Sequence, residues 1–192
     1  MNYLFKIYQK SLLVRYDKDD AIPYYNVKDF PKLKCRNLSF INSRGKKIHY
    51  YFYKEEKSLA NPLILFLPGI GPGHIAYFKE IATLCSYKYE VLTLDYEGCG
   101  ESEGDSLYSL NGPTRDVDDL LNQLKLNRKI IVIGHSLGGY TAINIMNLRR
   151  ELNKGVVISG FADIKDMVKE KCFIPLLTSL IKSGERKIEK EI

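Results

Sequence analysis

The sequence lacks an apolar run long enough to cross a lipid bilayer, which takes roughly 18 consecutive apolar residues, and its longest runs fall well short of that. It also lacks the features of a secretory leader. Lys6 and Lys10 interrupt the apolar part of the N-terminus, and no small-residue cleavage site follows. We therefore expect neither a membrane-spanning nor an exported protein.

Cysteine is sparse and scattered. The four cysteines form no spacing typical of a metal site, and the chain is too long for a small secreted scaffold held by disulfides; they are Cys35, Cys85, Cys99 and Cys172. We predict free thiols in a reducing cytoplasm. The sequence also indicates no metal site and no cofactor.

The central part of the chain lacks any excess of one charge. Of the net charge of +6, residues 1–36 carry +4, residues 164–192 carry +2, and the segment between them is neutral. A nucleic-acid-binding surface needs clustered basic side chains with aromatic ones among them. We therefore predict no nucleic-acid partner.

Strand-like and helix-like segments alternate along most of the chain. A hairpin with a glycine in its turn comes first, and buried-type strands and amphipathic helices follow. The predicted strands cover 37–42, 47–53, 62–68, 90–95, 129–134 and 155–160, and the predicted helices cover 74–86, 113–126 and 137–152. This order predicts an α/β fold: a mostly parallel sheet with helices on both faces and an N-terminal antiparallel hairpin.

The two ends of the chain differ from this core, which we place at residues 37–163. Residues 1–36 form an arm or helix, with apolar residues at roughly helical spacing. Two interpretations are open: the segment packs on its own domain, or residues 1–16 make peripheral contact with a membrane surface. Residues 164–192 contain helix-like material and no further strand-like run.

The segment "GHSLG" (134–138) matches the pattern G-x-S-x-G between a predicted strand and a predicted helix, which is the context this motif requires. A sharp turn there lifts the oxygen of Ser136 above the sheet edge. Gly134 and Gly138 carry no Cβ that would clash with the turn. We interpret Ser136 as a nucleophile; the alternative is a turn serine that caps the helix.

A glycine-rich loop after an earlier strand supports this interpretation. An acyl-transfer site needs two backbone N–H groups directed at the developing oxyanion, one from the residue after the nucleophile and one from such a loop. The candidates are Leu137 and Ile70, the latter within "LPGIGPG" (67–73). The alternative is that the glycines and prolines serve the turn alone.

Three blocks in this order resemble the α/β-hydrolases of the lysophospholipase, monoacylglycerol-lipase and serine-aminopeptidase-like group. They are "LFLPGIG" (65–71), "VLTLDYEGCGESEG" (91–104) and "VIGHSLGG" (132–139), and the resemblance covers roughly residues 38–163. It implies a serine hydrolase without a cofactor that acts on a small-molecule carboxylic ester or amide. It also implies that residues 164–192 begin a set of cap helices and that the last two strands of the fold are missing.

The chain departs from this group in its first block, where Pro68 stands in place of the usual histidine. That histidine is structural in the family, so the change concerns the geometry of the loop. The segment "GHSLGGY" (134–140) also resembles the serine motif of malonyl-transferases, but those enzymes lack the second block.

A serine hydroxyl needs a general base within hydrogen-bonding reach, and the sequence has only three histidines. We expect the side chain of His135 to point away from the site and His49 to lie far from it, in the opening hairpin. His74 could line the pocket, but from the wrong side to take the proton. Asp163 is the candidate acid, with helix capping as its alternative role.

The sequence therefore predicts the nucleophile half of a hydrolase site without its base. Our hypothesis is an incomplete member of the family that lacks the catalytic histidine; the alternatives are a domain that has lost catalysis and binds a ligand or partner, and a site completed by another chain. An unpaired sheet edge after the sixth strand favours aggregation or dimerisation, with residues 172–181 available to cover part of it. The oligomeric state stays open.

Overall fold

The computed structural model describes residues 13–15 and 23–161. The strands are β1 (Lys34–Ile41), β2 (Lys47–Lys54), β3 (Leu59–Leu67), β4 (Tyr89–Leu94), β5 (Ile130–His135) and β6 (Gly155–Ile158). The α-helices are α1 (Phe78–Ser86), α2 (Gly112–Leu124) and α3 (Leu137–Leu148), and short 3-10 turns cover Val27–Asp29 and Gly73–Tyr77. Our predictions on residues 1–12, 16–22 and 162–192, including Asp163 and Cys172, lie outside the described residues.

The six strands form one mixed sheet in the order β1-β2-β4-β3-β5-β6. Strands β3 to β6 are parallel to one another, whereas β2 pairs antiparallel with both β1 and β4. The α/β fold with an N-terminal antiparallel hairpin is thus confirmed. The hairpin extends the parallel part of the sheet on its β4 side.

Strand β3 shows why the sheet is covered on both faces. Its side chains alternate between two apolar clusters: Leu63, Leu65 and Leu67 belong to one, and Ile64 and Phe66 to the other. Helices α2 and α3 pack on the first cluster, and α1 packs on the second. The continuous apolar run in the sequence is therefore a strand buried between two helical layers.

Helix α3 ends at Leu148, before the predicted end at residue 152. Arg149 leaves the helical region, with φ −115° and ψ 95°. Its guanidinium donates to a carboxylate oxygen of Asp118 in α2 at 2.5 Å. Arg149 thus lies just beyond α3 and contacts α2, and the helical pattern of the sequence carries no signal of this contact.

The hairpin turn between β1 and β2 is held by a buried ionic network. Arg44 donates to Glu97 and to Asp116, both at 2.7 Å, and Asn42 donates to Asp116 at 2.9 Å. Asp116 is fully buried, and burial raises its pKa to about 6 although Arg44 opposes the shift. The network ties the hairpin to α2 and to the loop after β4.

Residues 13–15 pack against the loop that follows β4. Leu13 is buried, Val14 forms a β-bridge with Ser106, and the guanidinium of Arg15 donates to the backbone oxygens of Gly100, Ser102 and Gly104. This part of the arm thus packs on its own domain. Across the described ranges, the structure contains no helix that is both long enough and apolar enough to cross a membrane.

Strand β6 lies at the end of the sheet and, within residues 23–161, pairs only with β5. Its side chains Val156, Val157 and Ile158 are 43–50% exposed. Residues 172–181, which the sequence makes available to cover this edge, lie outside the described residues. Dimerisation or aggregation through this edge stays a prediction.

Candidate active site

Ser136 occupies a sharp bend between β5 and α3. Its backbone has φ 53° and ψ −118°, a conformation that residues with a side chain rarely adopt. Its N–H donates to Ile158 of β6 at 2.9 Å, and its carbonyl accepts from Gly139 at 2.9 Å and from Tyr140 at 3.2 Å. The side chain makes no capping hydrogen bond to the helix. Among the described residues, the hydrogen bonds that hold the serine in the bend are all made by its backbone.

Two glycines bring the bend into contact with its surroundings. A Cβ on Gly134 would lie 2.1 Å from the carbonyl oxygen of Gly138, and a Cβ on Gly138 would lie 2.0 Å from that of Leu67 at the end of β3. Both distances are far below van der Waals contact. The bend therefore packs against its own first helical turn and against the carboxyl end of the neighbouring strand.

The loop formed by residues 68–70, here called the 68–70 loop, lies directly beside the serine. A Cβ built on Gly69 would lie 3.4 Å from Cβ of Ser136 and 3.6 Å from the carbonyl oxygen of His135. Leu137 follows the serine in the first turn of α3, where backbone N–H groups have no partner within the helix. The structure thus brings together Ser136, Leu137 and the loop that contains Ile70.

Tyr77 connects the 68–70 loop to the bend, a role that the sequence does not single out among fourteen tyrosines. The Gly69 N–H donates to the Tyr77 hydroxyl at 3.0 Å, and the same hydroxyl lies 2.8 Å from Nδ1 of His135. The imidazole of His135 therefore contacts Tyr77 and not Ser136.

His74, which the sequence left as a possible lining residue of the pocket, is 3% exposed and is buried against Asp95. Its backbone N–H donates to Oδ1 of Asp95 at 2.7 Å, its Nδ1 lies 2.9 Å from the same oxygen, and its ring stacks on that of Tyr51 at 3.7 Å. A carboxylate on Nδ1 is the arrangement that orients a catalytic histidine. No hydrogen bond joins this ring to Ser136 within the described part of the chain.

The carboxylate of Asp95 organises the loop within the second sequence block, residues 91–104. Its Oδ2 accepts from the hydroxyl of Tyr51 and from the N–H of Glu101, both at 3.0 Å. Burial by itself raises the pKa of such a carboxyl, but the attraction of His74 and the hydrogen bonds from His74 and from the N–H of Glu101 hold the pKa of Asp95 below its ordinary value. A Cβ on Gly100 would lie 2.3 Å from this carboxyl group. The glycine and the aspartate of this block therefore pack together and hold the loop after β4 in a tight turn.

The third histidine, His49, lies in β2 with its Nδ1 3.1 Å from the side-chain oxygen of Asn37. All three histidines of the sequence thus have side-chain partners other than Ser136. Over residues 13–15 and 23–161, no hydrogen bond to Oγ of Ser136 is present. The structure places a half-buried serine beside two backbone segments, and within the described ranges none of the three histidines makes a hydrogen bond to its side chain.

The stretch of chain that forms this site matches a known protein family. The model of the alpha/beta hydrolase family matches residues 64–185. The matched region begins in β3 and includes the 68–70 loop, the loop after β4 and the bend at Ser136.

Individual proteins show the same likeness. The chain is 32% identical over 130 residues to a proline iminopeptidase from Saccharolobus solfataricus, covering 66% of this chain and 41% of that protein. It is 29% identical over 144 residues to the lysophosphatidylserine lipase ABHD12 from Bos taurus, covering 69% and 34%. The chain thus spans less than half the length of these two relatives.

A solved structure shows the likeness in fold. An esterase from Pyrococcus furiosus superposes with a TM-score of 0.66 at 22% identity, covering 88% of this chain and 67% of that one. At this identity the match concerns the fold alone.

Proposed function

The chain belongs to the alpha/beta hydrolase family, and from this premise we propose that Ser136 is the nucleophile of a hydrolase that acts on a carboxylic ester or amide. One observation carries the proposal. The strained bend holds Ser136 by its backbone, leaves its hydroxyl without a capping role, and sets it beside the 68–70 loop. Strain of this kind is costly and is concentrated at functional sites.

In the proposed reaction, Oγ of Ser136 attacks the carbonyl carbon of the substrate. The N–H groups of Ile70 and Leu137 stabilise the oxyanion, and each such donor contributes about 10²–10³-fold to the rate. The alcohol or amine then leaves with a proton, and water hydrolyses the acyl-enzyme. The names of the two relatives, a peptidase and a lipase, support an acyl group bound to nitrogen or oxygen as the substrate class.

The attack also requires a base to take the proton from Oγ of Ser136. His49, His74 and His135 hold other partners, so we expect the isolated 192-residue chain to react slowly. A general base typically contributes about 10²–10⁴-fold to the rate. We therefore expect Ser136 to react more slowly by this factor than the serine of a hydrolase that has a base.

A fluorophosphonate probe tests the nucleophile. We expect slow covalent labelling that mass spectrometry assigns to Ser136, abolished in Ser136→Ala and unchanged in Ser39→Ala, which removes an exposed serine hydroxyl on β1. Labelling of the wild type and of Ser136→Ala at equal rates would refute the proposal. Fast labelling of Ser136 would retain the nucleophile and show that the chain does provide a base.

A second candidate function is ligand binding without catalysis, which the engagement of all three histidines favours. On this reading the site binds acyl compounds without cleaving them. Thermal shift measurements with fatty acids and acyl esters decide between the two. Stabilisation that is equal in the wild type and in Ser136→Ala, together with no probe labelling, would favour binding.

We also propose a reducing, cytoplasmic location. Cys35, Cys85 and Cys99 are all free thiols, and burial raises the pKa of Cys85 and of Cys99 to about 12, which keeps both protonated. Buried protonated thiols are unreactive. A thiol count under denaturing, non-reducing conditions checks the assignment.

A further inference from the structure

The local sequence of the 68–70 loop does not by itself fix the direction of the Ile70 N–H. Pro68 has neither a backbone N–H nor a side-chain donor with which to anchor the loop. Glycines stand on both sides of Ile70, and Gly71 has φ 131°, a conformation open only to glycine in practice. Contacts from other elements therefore contribute to holding the loop against the bend.

Tyr77 provides that contact from the end of the turn Gly73–Tyr77. Its hydroxyl accepts from the Gly69 N–H and lies within hydrogen-bonding distance of His135 Nδ1. A Cβ on Gly69 would lie 2.6 Å from this hydroxyl, so the loop and the tyrosine are in close contact. The ring itself packs between Phe66 and His135, with centroids 5.4 Å away from both.

We propose that Tyr77 and His135 form a clasp that positions the oxyanion donor relative to the nucleophile, an inference that rests on the proposed role of Ser136. Gly69 immediately precedes Ile70, and His135 immediately precedes Ser136. One hydroxyl therefore sets the distance between the two reacting positions. Tyr77 and His135 act through their neighbours and are positioning residues.

The hydrogen-bonding roles follow from the donors present. The backbone N–H of Gly69 can only donate, so the Tyr77 oxygen accepts from it. In the proposed clasp, the hydroxyl proton is directed at His135 Nδ1, which accepts when the imidazole is neutral with its proton on Nε2. The clasp thus predicts both a hydrogen-bonded Gly69 amide and one tautomer of His135.

The test compares Tyr77→Phe with Tyr87→Phe. The first variant keeps the ring and removes the hydroxyl; the second removes the hydroxyl of a tyrosine that is 72% exposed at the end of α1. Three measurements are made on each full chain: hydrogen exchange of the Gly69 amide by NMR, the 15N shifts of the His135 ring, and the fluorophosphonate labelling rate of Ser136. The melting temperature is recorded for both.

We expect exchange of the Gly69 amide to accelerate about tenfold in Tyr77→Phe and to stay unchanged in Tyr87→Phe. The Nδ1 shift of His135 moves only in Tyr77→Phe. Labelling of Ser136 slows by about 10- to 100-fold in that variant, because small displacements of positioned groups have effects of this size. The side-chain oxygen of asparagine can replace Nδ1 as acceptor. His135→Asn should therefore retain more of the wild-type labelling rate than His135→Ala.

Each failure has a separate meaning. Unchanged Gly69 exchange in Tyr77→Phe would overturn the clasp. Changed exchange with an unchanged labelling rate would overturn its positioning role and leave Ser136 as the nucleophile. If labelling of the wild type does not depend on Ser136, the proposed function fails, and the exchange and 15N data still decide whether the clasp exists.

Discussion

Replacing Asp95 by asparagine removes one charge from the interior and changes little in volume. The carboxylate is 1% exposed and accepts on both oxygens. On Oδ1 it accepts from the backbone and ring of His74, and on Oδ2 from Tyr51 and Glu101. An asparagine can keep its oxygen as the acceptor for His74, but its NH₂ group then faces the two donors to Oδ2.

The size of the effect follows from the two donors to Oδ2. The hydroxyl of Tyr51 can turn to accept from the new NH₂ group, but the backbone N–H of Glu101 has no such freedom. A hydrogen bond to a charged group contributes about 1.5–3 kcal/mol, and an unpaired buried donor costs about 1–3 kcal/mol. We expect Asp95→Asn to lower the free energy of unfolding by about 3 kcal/mol, a large share of the about 5–15 kcal/mol typical of a domain.

Urea denaturation of the wild type, Asp95→Asn and Asp105→Asn at pH 7 measures this change. Asp105 is an exposed aspartate in the same loop, and its replacement should leave the free energy of unfolding nearly unchanged. A loss below about 1 kcal/mol in Asp95→Asn would refute the assignment of Asp95 as the buried anchor of this loop.

The same variant has a pH signature. The pKa of Asp95 is lower in the folded chain than the ordinary 3.8, so its contribution is fully present above that pH and is lost as the pH falls through the folded value. The wild type should therefore lose stability below about pH 4. Asp95→Asn should show a smaller acid loss over the same range, and equal acid profiles would contradict the shift.

Three further predictions concern the bend, the base and the buried ion pair. Gly138→Ala forces a Cβ against the carbonyl of Leu67, so we expect a loss of about 2–4 kcal/mol in urea denaturation and no probe labelling, whereas wild-type stability would refute the packing. With imidazole added as an external base, the wild type should hydrolyse p-nitrophenyl acetate about tenfold faster than Ser136→Ala does under the same conditions. Equal rates would contradict the idea that the chain lacks only a base. Arg44→Met leaves Asp116 without its ion pair and should cost about 3–5 kcal/mol at pH 7. Because the pKa of Asp116 is already raised to about 6, it protonates more readily at pH 5 and the loss there should be smaller, and an equal loss at both values would contradict the shift.

Most of the sheet could be predicted because its signals are local. The run 62–68 is apolar without interruption, as a strand buried on both faces must be, and β3 covers Leu59–Leu67. The predicted end of α3 at residue 152 was wrong, because the helix ends at Leu148. Arg149, just after the helix, pairs with Asp118 in α2, and a contact between distant parts of the chain has no counterpart in the periodicity of one helix.

The candidate site, too, could be predicted only in part. The sequence by itself determined the bend at Ser136 and the adjacent loop, because glycines at fixed spacing around one serine, between a strand and a helix, specify a turn within a few residues. Only the tertiary structure decided the partners of the histidines. His74 meets Asp95 across 21 residues and His135 meets Tyr77 across 58, and pairing at such separations depends on how β3, β4 and β5 lie beside one another in the sheet.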